Sequence, residues 1–267
     1  MQTEKNTNRS KGVNPGRRSG DDCIDYFTVT NRVVIVTGSN RGNGLAIASG
    51  LTDVGAKVVR IDLGFDTELG TDDIAFDLSD RKGIKSLIEG ISNEYGRIDA
   101  LINNAGISLA SAEPYGDFAT YEKTLSINLH AAFLLCSAVC PIMAKENTGS
   151  IVNVTSLGAE LAFPENPAYQ VSKAGLRQLT KAIAKDWGES GIRANNICPG
   201  YINTAMTAKS FSDRRLHEQR KSNTLLKRWG ESTDLVGPAI FLISPASAYI
   251  TGTDLYVDGG WMANGGL

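Results

Sequence analysis

The chain has few of the residues that build metal sites. Its 267 residues include four cysteines and two histidines, and no two cysteines are spaced as C-x-x-C. A Cys/His zinc site is therefore not expected, and we predict no metal. Cys136 and Cys140 share a helical face in an apolar stretch, which is typical of buried thiols. Reduced thiols of this kind fit a cytoplasmic protein, which is the location we expect.

Long apolar runs and a strong charge of one sign are also lacking. The formal net charge is −2, so there is no basic field to attract nucleic acid or an anionic membrane. No apolar run approaches the length of a membrane span, and the N-terminus lacks the apolar core of a signal peptide. We therefore predict no nucleic-acid partner and no membrane segment.

The first residues differ in composition from the rest of the chain. Residues 1–28 are polar, rich in Asn, Gly, Lys and Arg, and without periodicity. Such a segment cannot bury enough apolar surface to order itself, so we expect a flexible N-terminal extension. Residues 29–267 are then expected to form one domain, and the apolar content of 42% is sufficient for its core.

Short apolar runs alternate with helical patterns from residue 33 onward. The run Val33–Val36 is continuously apolar, as in a parallel strand covered by helices on both faces. Further strands are predicted at Lys57–Asp62, Ala100–Ile102 and Ile151–Val154, and helices around residues 84–95, 125–136 and 176–187. This alternation predicts an α/β fold with a single doubly wound parallel sheet, a Rossmann fold with helices on both faces.

A glycine-rich turn follows the first predicted strand. In the stretch TGSNRGNG, Gly38, Gly42 and Gly44 form a G-x3-G-x-G pattern. Glycines allow the backbone to approach a pyrophosphate, whose charge then lies at a helix N-terminus. A structural tight turn would also explain three glycines, but the position between a buried strand and the helical LAIASGL favours a dinucleotide site.

Asp62 ends the second predicted strand, 18 residues after Gly44. A carboxylate at this place can accept hydrogen bonds from both ribose hydroxyls and would repel a 2′-phosphate, which favours NAD over NADP. Arg60 alternates to the other face of the strand, and Arg41 in the turn could still meet phosphate. A solvated carboxylate at a strand end is the alternative interpretation of Asp62.

The stretch Asn153–Lys173 contains a serine, a tyrosine and a lysine whose spacing suggests catalysis. Tyr169 and Lys173 are four residues apart and therefore share one helical face. An ammonium beside a phenol favours the ionised phenol, as a tyrosine that passes a proton near neutral pH requires. Ser156 lies 13 residues before the tyrosine. Without further motifs, a surface tyrosine and a solvated lysine would explain the pair equally well.

Five motifs, from about Val33 to the C-terminus, resemble those of the short-chain dehydrogenase/reductase family. They are TGSNRGNG, NNAG at Asn103–Gly106, Asn128 in SINLH, Ser156 with YQVSK, and CPGYINT at Cys198–Thr204. The late stretch ITGTDLYVDGGW also resembles the closing strand of that family. Each motif is modest alone, whereas their joint order and spacing are specific.

The resemblance implies an oxidoreductase that moves a hydride between a nicotinamide cofactor and a secondary alcohol or ketone. Tyr169 would be the general acid/base, Lys173 would lower its pKa, Ser156 would stabilise charge on the substrate oxygen, and Asn128 would hold a water. The expected cofactor-binding residues are Gly38, Ser39, Arg41, Asn43, Gly44, Asp62, Asp77, Leu78, Asn104, Ala105, Gly106, Tyr169, Lys173, Pro199, Gly200, Ile202 and Thr204. Asn43 departs from the family, where an aliphatic residue is usual.

The small-molecule substrate is less well defined by the sequence. With Asp62, the resemblance is strongest to the NAD-dependent sugar, polyol or sugar-acid dehydrogenases. A lid is expected at about residues 203–225. The lid contains four basic residues, Arg214, Arg215, Arg220 and Lys221. They are interpreted either as a solvated helix face or as a positively charged surface that attracts an anionic substrate. Other expected pocket residues are Ile107, Ser108, Glu160 and Tyr201.

Two other functions remain open at this level. A 3-oxoacyl thioester reductase acting on acyl-carrier protein usually uses NADPH, against which Asp62 argues. A catalytically silent dinucleotide-binding sensor has no need of Tyr169 and Lys173 together. The family usually assembles through the helices that carry Asn128 and Tyr169, so we expect a homotetramer, with a dimer as the alternative.

Overall fold

One parallel sheet organises the chain. The computed structural model describes residues 26–66, 70–109 and 111–264. Within them, seven strands are ordered β3-β2-β1-β4-β5-β6-β7, and every neighbouring pair is parallel. The strands are β1 Val33–Thr37, β2 Lys57–Asp62, β3 Asp73–Ala75, β4 Ala100–Asn103, β5 Gly149–Val154, β6 Ile192–Pro199 and β7 Asp254–Val257. The predicted doubly wound sheet is confirmed, with β3 as a strand the sequence did not indicate.

Helices cover both faces of this sheet. Within the described residues they are α1 Gly42–Asp53, α2 Gly83–Tyr95, α3 Phe118–Leu125, α4 Ala131–Lys145, α5 Pro167–Trp187, α6 Ala208–Ser212, α7 Arg214–Asn223 and α8 Val236–Ile243. Because side chains alternate along a strand, Ile35 of β1 enters one core cluster while Val34 and Val36 enter the other. The first cluster packs against α2, α4 and α5, and the second against α1 and α8.

The strand order places a crevice beside β1. Chain connections run from β1 to β2 on one side and return to β4 on the other. In doubly wound sheets, ligands bind at such a reversal, outside the carboxyl ends of the strands. The glycine turn follows β1, Asp62 ends β2, the NNAG motif includes the end of β4, and Ser156 follows β5. The fold therefore brings distant motifs to one edge of the sheet.

Two segments were predicted to be irregular, the N-terminal extension and the lid. Most of the first lies outside the described residues, and the second contains helices. The expected extension at residues 1–28 is described only from Tyr26, whose carbonyl accepts a hydrogen bond from the Ala246 N–H at 2.7 Å. The Phe27 ring lies 6.3 Å from that of Phe241. The expected lid region is largely helical, with a 3₁₀ turn at Ala205–Thr207 followed by α6 and α7.

The run from α3 to α4 corrects one expectation. Phe118–Lys145 is a continuous helix of 28 residues that is long and apolar enough to cross a membrane by length and composition. It includes a π-helical segment at Ser126–His130. The polar residues of that segment interrupt the apolar sequence, which is why no such run was expected. Leu135 and Met143 on this helix are buried in the sheet core, so core packing accounts for its apolar character.

Candidate active site

The turn after β1 brings backbone groups close together. Gly38 has φ 66° and its N–H donates to the Ile61 carbonyl at 2.8 Å. A Cβ on Gly44 would collide with the carbonyl oxygen of Gly38, so α1 approaches β1 as closely as glycine allows. Helix α1 begins without a side-chain cap or an acidic residue in its first turn. Its first amides are therefore free to face an anion.

The NNAG segment is attached directly to this turn. The Thr37 hydroxyl accepts hydrogen bonds from the backbone N–H groups of Asn104 and Ala105, both at 3.1 Å. The side-chain amide of Asn104 donates hydrogen bonds to the carbonyls of Thr37 and Gly38 at 3.0 and 2.9 Å. These bonds hold the two sides of the crevice at a fixed separation. Thr37 was not among the predicted residues, although its place before the first glycine is a usable signal.

Asp62 lies beside the glycine turn, as its position in the sequence suggests. Its carboxylate accepts hydrogen bonds from the N–H groups of Asn40 at 2.8 Å and Leu63 at 2.7 Å. Arg60 is engaged on the side of β3, in a two-contact ion pair with Asp73. This hydrogen-bonded pairing raises the pKa of Arg60 and lowers that of Asp73. Asp62 therefore stands at the turn without Arg60 beside it as an ion-pair partner.

Other predicted cofactor residues make different kinds of contact. Ser39 is fully buried, and its hydroxyl lies 3.4 Å from the Ile61 carbonyl, so the side chain supports the turn from inside. Asn43 accepts a hydrogen bond from the Ser232 hydroxyl at 2.9 Å. Arg41 is exposed at the N-cap of α1. Of these three side chains, Arg41 is the one free to meet a phosphate.

The residues expected at the adenine and nicotinamide ends of the site lie close to the ends of β3 and β6. The Asp77 carboxylate accepts a hydrogen bond from the Ser79 N–H at 2.8 Å, which lowers the pKa of Asp77, and Leu78 is buried in the core. After β6, the Gly200 N–H donates to the Val257 carbonyl at 3.0 Å. Of the remaining predicted residues, Pro199 ends β6, Ile202 is buried, and Thr204 caps the 3₁₀ turn at Ala205–Thr207.

Asn128, Lys173 and Gly106 meet at one point. The buried Asn128 accepts a hydrogen bond from the Ile107 N–H at 2.8 Å and donates to the Ile107 carbonyl at 2.9 Å. A Cβ on Gly106 would lie 3.3 Å from Asn128 Oδ1 and 3.4 Å from Lys173 Nζ. The π-helical segment carries Asn128 to this place and α5 carries Lys173. The structure therefore brings Asn128, Lys173 and Gly106 together.

Lys173 is held in a buried position. Its Nζ donates to the Val154 carbonyl at 2.8 Å, and 4% of the residue is exposed. Burial lowers the pKa of Lys173 to about 8, because the ammonium form loses hydration. The same Nζ lies 5.8 Å from the centre of the Tyr169 ring. The ammonium therefore lies over the face of the tyrosine ring while it is hydrogen-bonded to the end of β5.

Tyr169 and Ser156 face one another. Burial raises the pKa of Tyr169, and a hydrogen bond with the Ser156 side chain opposes this shift. The Ser156 hydroxyl also accepts a hydrogen bond from the Gly158 N–H at 3.0 Å. In the cofactor-free structure, desolvation of the phenol is the largest influence on this pKa. The lowering expected from Lys173 together with the charge of a bound nicotinamide stays a prediction.

Ser172 is a further site residue that the sequence analysis missed. Its hydroxyl donates to the Tyr169 carbonyl at 2.7 Å and accepts a hydrogen bond from the Asn128 amide at 3.0 Å. It is completely buried. Ser172 thus links helix α5, which carries the tyrosine, to the π-helical segment. The signal was its place inside the YQVSK motif, directly before the lysine.

Glu160, which was expected to line the substrate pocket, makes contacts with neighbouring side chains. Its carboxylate lies 3.3 Å from the Arg177 guanidinium and accepts a short hydrogen bond from the Tyr256 hydroxyl. Arg177 also binds Asp254 at 2.6 Å. These contacts fasten the segment after Ser156 to β7. Glu160 therefore contributes to the support of the serine loop.

An aromatic cluster lies beside the expected nicotinamide end. The Tyr201 ring centre is 4.9 Å from that of Trp261, 5.7 Å from Trp229 and 6.3 Å from Phe163. The guanidinium of Arg220 lies 4.2 Å from the centre of the Tyr201 ring. A cavity of about 430 Å³ opens next to Tyr201 and Ile202. Within the described residues, this cluster joins the lid helix α7 to the end of β6.

Comparison with known proteins agrees with this geometry. Residues 38–262 match a family described as Enoyl-(Acyl carrier protein) reductase. The chain belongs to the short-chain dehydrogenase/reductase family. Among curated members, it is 36% identical to gluconate 5-dehydrogenase of Gluconobacter oxydans (strain 621H), over 88% of this chain and 96% of that protein. It is 34% identical to D-threitol dehydrogenase of Mycolicibacterium smegmatis, over 89% and 96% of the two chains.

A solved member of the family has the same fold. The structure of a gluconate 5-dehydrogenase from Burkholderia cenocepacia J2315, in complex with NADP and tartrate, superposes with a TM-score of 0.85. The two sequences are 32% identical, and the match covers 90% of this chain and 99% of the other. The family and fold suggested by the sequence motifs are therefore confirmed.

Proposed function

We propose that this protein is an NAD-dependent dehydrogenase that oxidises a secondary alcohol of a sugar acid, sugar or polyol, with gluconate as the first candidate. The observation that carries the proposal is the meeting of Ser156, Tyr169, Lys173 and Asn128 at the carboxyl edge of the sheet. The names of the relatives, which include gluconate and threitol dehydrogenases, support the substrate class. The physiological location proposed is the cytoplasm.

The residues around the crevice fit a dinucleotide. The close approach of α1 to β1 at Gly44 and the uncapped first turn of α1 suit a pyrophosphate. Asp62 would bind the adenosine ribose, and Lys173 with Tyr169 would bind the nicotinamide ribose. When bound, a nicotinamide cofactor supplies hydride acceptance and donation. The chain itself supplies binding, orientation and the movement of the proton.

Tyr169 is the proposed proton carrier. In alcohol oxidation its phenolic oxygen would take the proton of the substrate hydroxyl, and Ser156 would hold the same oxygen by a hydrogen bond. Because burial raises the pKa of Tyr169 in the free protein, proton acceptance needs additional positive charge at the bound site. Lys173 is the nearby group on the chain that can contribute it. Asn128, which lies next to Lys173 at Gly106, would hold a water that passes the proton from Lys173 to solvent.

The proposed preference for NAD rests on charge. The Asp62 carboxylate lies at the turn, where it would repel a 2′-phosphate. Arg60, the basic residue next but one before it, is paired with Asp73 and so is not free to balance a phosphate. The Burkholderia enzyme was solved in complex with NADP, so at least one relative binds the other cofactor. Titration with both cofactors tests this part of the proposal directly.

A homotetramer is the proposed assembly, with a dimer as the alternative. Helices α3, α4 and α5 expose large apolar side chains; they include Phe118 at 69%, Phe133 at 54% and Val171 at 45% exposure. Exposed apolar groups on these helices suit burial by another copy of the chain. Light scattering of the purified protein should give the mass of four chains, and a monomer would contradict the proposal.

One alternative activity has a specific observation behind it. The description of the matching family names a reductase of enoyl groups on acyl-carrier protein. A 3-oxoacyl thioester reductase acts on the same carrier at a ketone, and it would use the same four catalytic residues in the reverse direction. Asp62 argues against it through the cofactor, because such reductases usually use NADPH. A non-catalytic dinucleotide sensor is the alternative from another class.

The test is a substrate screen with a matched control. NAD and NADP are titrated into the protein, then gluconate, other sugar acids and polyols are supplied at alkaline pH, and reduced cofactor is followed by absorbance. Turnover with NAD that falls by about 10²–10⁴-fold in Tyr169→Phe supports the proposal. Turnover of oxoacyl thioesters with NADPH would favour the reductase. Tight NAD binding without turnover of either class would favour the sensor.

A further inference from the structure

One basic residue of the lid differs from its neighbours. On helix α7, Arg214 and Arg215 are exposed to solvent, as a solvated helix face would be. Arg220 instead lies over the Tyr201 ring, with its guanidinium 4.2 Å from the ring centre, and 5.6 Å from the ring centre of Trp229. A guanidinium stacked in this way keeps its N–H groups at the edge of the stack, where they can bind an anion.

Arg220 also has an unused hydrogen-bond donor. Its Nη1 is buried, and no residue in the described part of the chain accepts a hydrogen bond from it. No ion pair within 4.0 Å links Arg220 to a carboxylate among the described residues. A buried N–H group of a cation destabilises the protein when it makes no hydrogen bond, so such groups usually have an acceptor. This donor therefore lacks an acceptor among the described residues, and a ligand with a charged acceptor could supply one.

The stack lies on the side of the catalytic serine. Tyr201 is 6.3 Å from Phe163, measured between ring centres. A Cβ on Gly158 would lie 3.4 Å from the Phe163 ring and 3.5 Å from Ser156 Oγ. Phe163 and Tyr201 thus form a chain of neighbouring rings between the serine loop and the Arg220 guanidinium. A substrate whose hydroxyl lies at Ser156 would extend along these rings towards the guanidinium.

We propose that Arg220 binds the carboxylate of an acidic substrate and thereby selects sugar acids over neutral polyols of the same length. This inference rests on the proposed function, because it places the reacting hydroxyl at Ser156. A carboxylate suits the site, since two parallel N–H···O bonds can form with one guanidinium and compensate the buried donor. The role is one of binding, and Arg220 takes no part in proton or hydride transfer.

The test compares two ligands that differ at one carbon. D-Gluconate and D-glucitol share the same hydroxyls at carbons 2 to 6 and differ at carbon 1, which is a carboxylate in one and an alcohol in the other. Binding is measured in the presence of cofactor by tryptophan emission, because Trp229 and Trp261 lie 5.7 and 4.9 Å from Tyr201. Wild type should bind gluconate more tightly than glucitol.

Substitution of Arg220 should remove this discrimination. In Arg220→Gln and in Arg220→Met, the Kd of gluconate should rise about 10- to 100-fold, as expected for loss of a charge-assisted hydrogen bond. The Kd of glucitol and that of NAD should change less than about twofold. Arg220→Lys should be intermediate, since the charge remains but the planar fork is lost. Arg215→Gln, on the exposed side of α7, removes the same charge and should leave both ligands unaffected.

Several results would overturn the inference. Equal losses for gluconate and glucitol in Arg220→Gln and Arg220→Met would mean that Arg220 only supports the lid. Unchanged gluconate binding in both variants, or a wild type that binds neither ligand, would also refute it. Its failure is distinguishable from that of the proposed function. Arg220-dependent binding of gluconate without oxidation by NAD or NADP would leave the carboxylate site standing and contradict the dehydrogenase activity.

Discussion

The cofactor end and the substrate end of the crevice are built by different means. At the cofactor end, groups pack closely onto backbone carbonyls: Gly44 passes the carbonyl of Gly38, and the side-chain amide of Asn104 donates to the carbonyls of Thr37, which ends β1, and of Gly38. At the substrate end, side chains from distant segments stack on one another around Tyr201. The first arrangement depends on glycine at fixed spacing. The second depends on side-chain packing, so replacement of one side chain can change which ligand binds there.

The largest effect is expected at the cofactor end, from Gly44→Ala. The added Cβ would collide with the carbonyl of Gly38, so α1 must move away from β1. Overpacking of this kind costs about 3 kcal/mol in the free energy of unfolding. The first amides of α1 would also withdraw from the pyrophosphate, and the affinity for NAD should fall at least about tenfold. Denaturant unfolding and a cofactor titration measure the two effects separately.

Gly42→Ala is the matched control for this prediction. Gly42 has φ 56°, but the nearest atom to an added Cβ is Cγ2 of Thr204 at 3.7 Å. A left-handed backbone without a collision should cost about 1 kcal/mol. Equal destabilisation by the two substitutions would show that backbone conformation, and not the close approach of α1 to β1, determines the cofactor end.

A second prediction concerns Lys173, which lies where the two ends meet. Its pKa is about 8 in the folded protein, below the ordinary value near 10.4 in the unfolded chain. Below pH 8 the lysine is charged in both states, and burial of that charge destabilises the fold. This penalty disappears as pH rises from about 8 to about 10.5, because the folded state then carries the neutral amine.

Lys173→Met should therefore stabilise the cofactor-free protein at pH 7. Removal of the buried charge contributes up to about 3 kcal/mol, and loss of the hydrogen bond to Val154 subtracts about 1 kcal/mol. The gain should shrink at pH 10, where the wild-type lysine is largely neutral. Unfolding by urea at both pH values measures it, and a gain of the same size at both would show that charge burial is not the cause.

The sequence was most informative where backbone position carries the structure. The strand Lys57–Asp62 and the glycine turn follow from apolar runs and spacing, and Asp62 was placed correctly beside the turn. Strand β3 was not predicted, because its three residues form no apolar pattern of their own. Its formation depends on pairing with β2. Local pattern therefore predicts β1, β2, β4 and β5, which fill the core, and not the short edge strand β3.

The substrate end could not be derived in the same way. Helix α7 buries none of its residues, so it has no apolar stripe, although the Asp213 carboxylate that caps it by a bond to the Leu216 N–H was a readable signal. The stack of Arg220 on Tyr201 joins positions 19 residues apart in different elements. The pKa of Tyr169 is raised because the phenol is buried, and burial cannot be predicted from the four-residue spacing between Tyr169 and Lys173.

The smallest effect is expected at the substrate end, from Trp229→Leu. Trp229 is buried, lies 5.0 Å from Phe211 and 5.7 Å from Tyr201 between ring centres, and donates from Nε1 to the His217 carbonyl at 3.2 Å. Leucine keeps part of the buried surface, so the free energy of unfolding should fall by about 1–2 kcal/mol. The stack under Arg220 would loosen, and the KM for gluconate should rise severalfold while the Kd of NAD changes less than about twofold. If NAD binding weakens as much as substrate binding, the two ends are mechanically coupled, and the division between a backbone-built cofactor end and a side-chain-built substrate end does not hold.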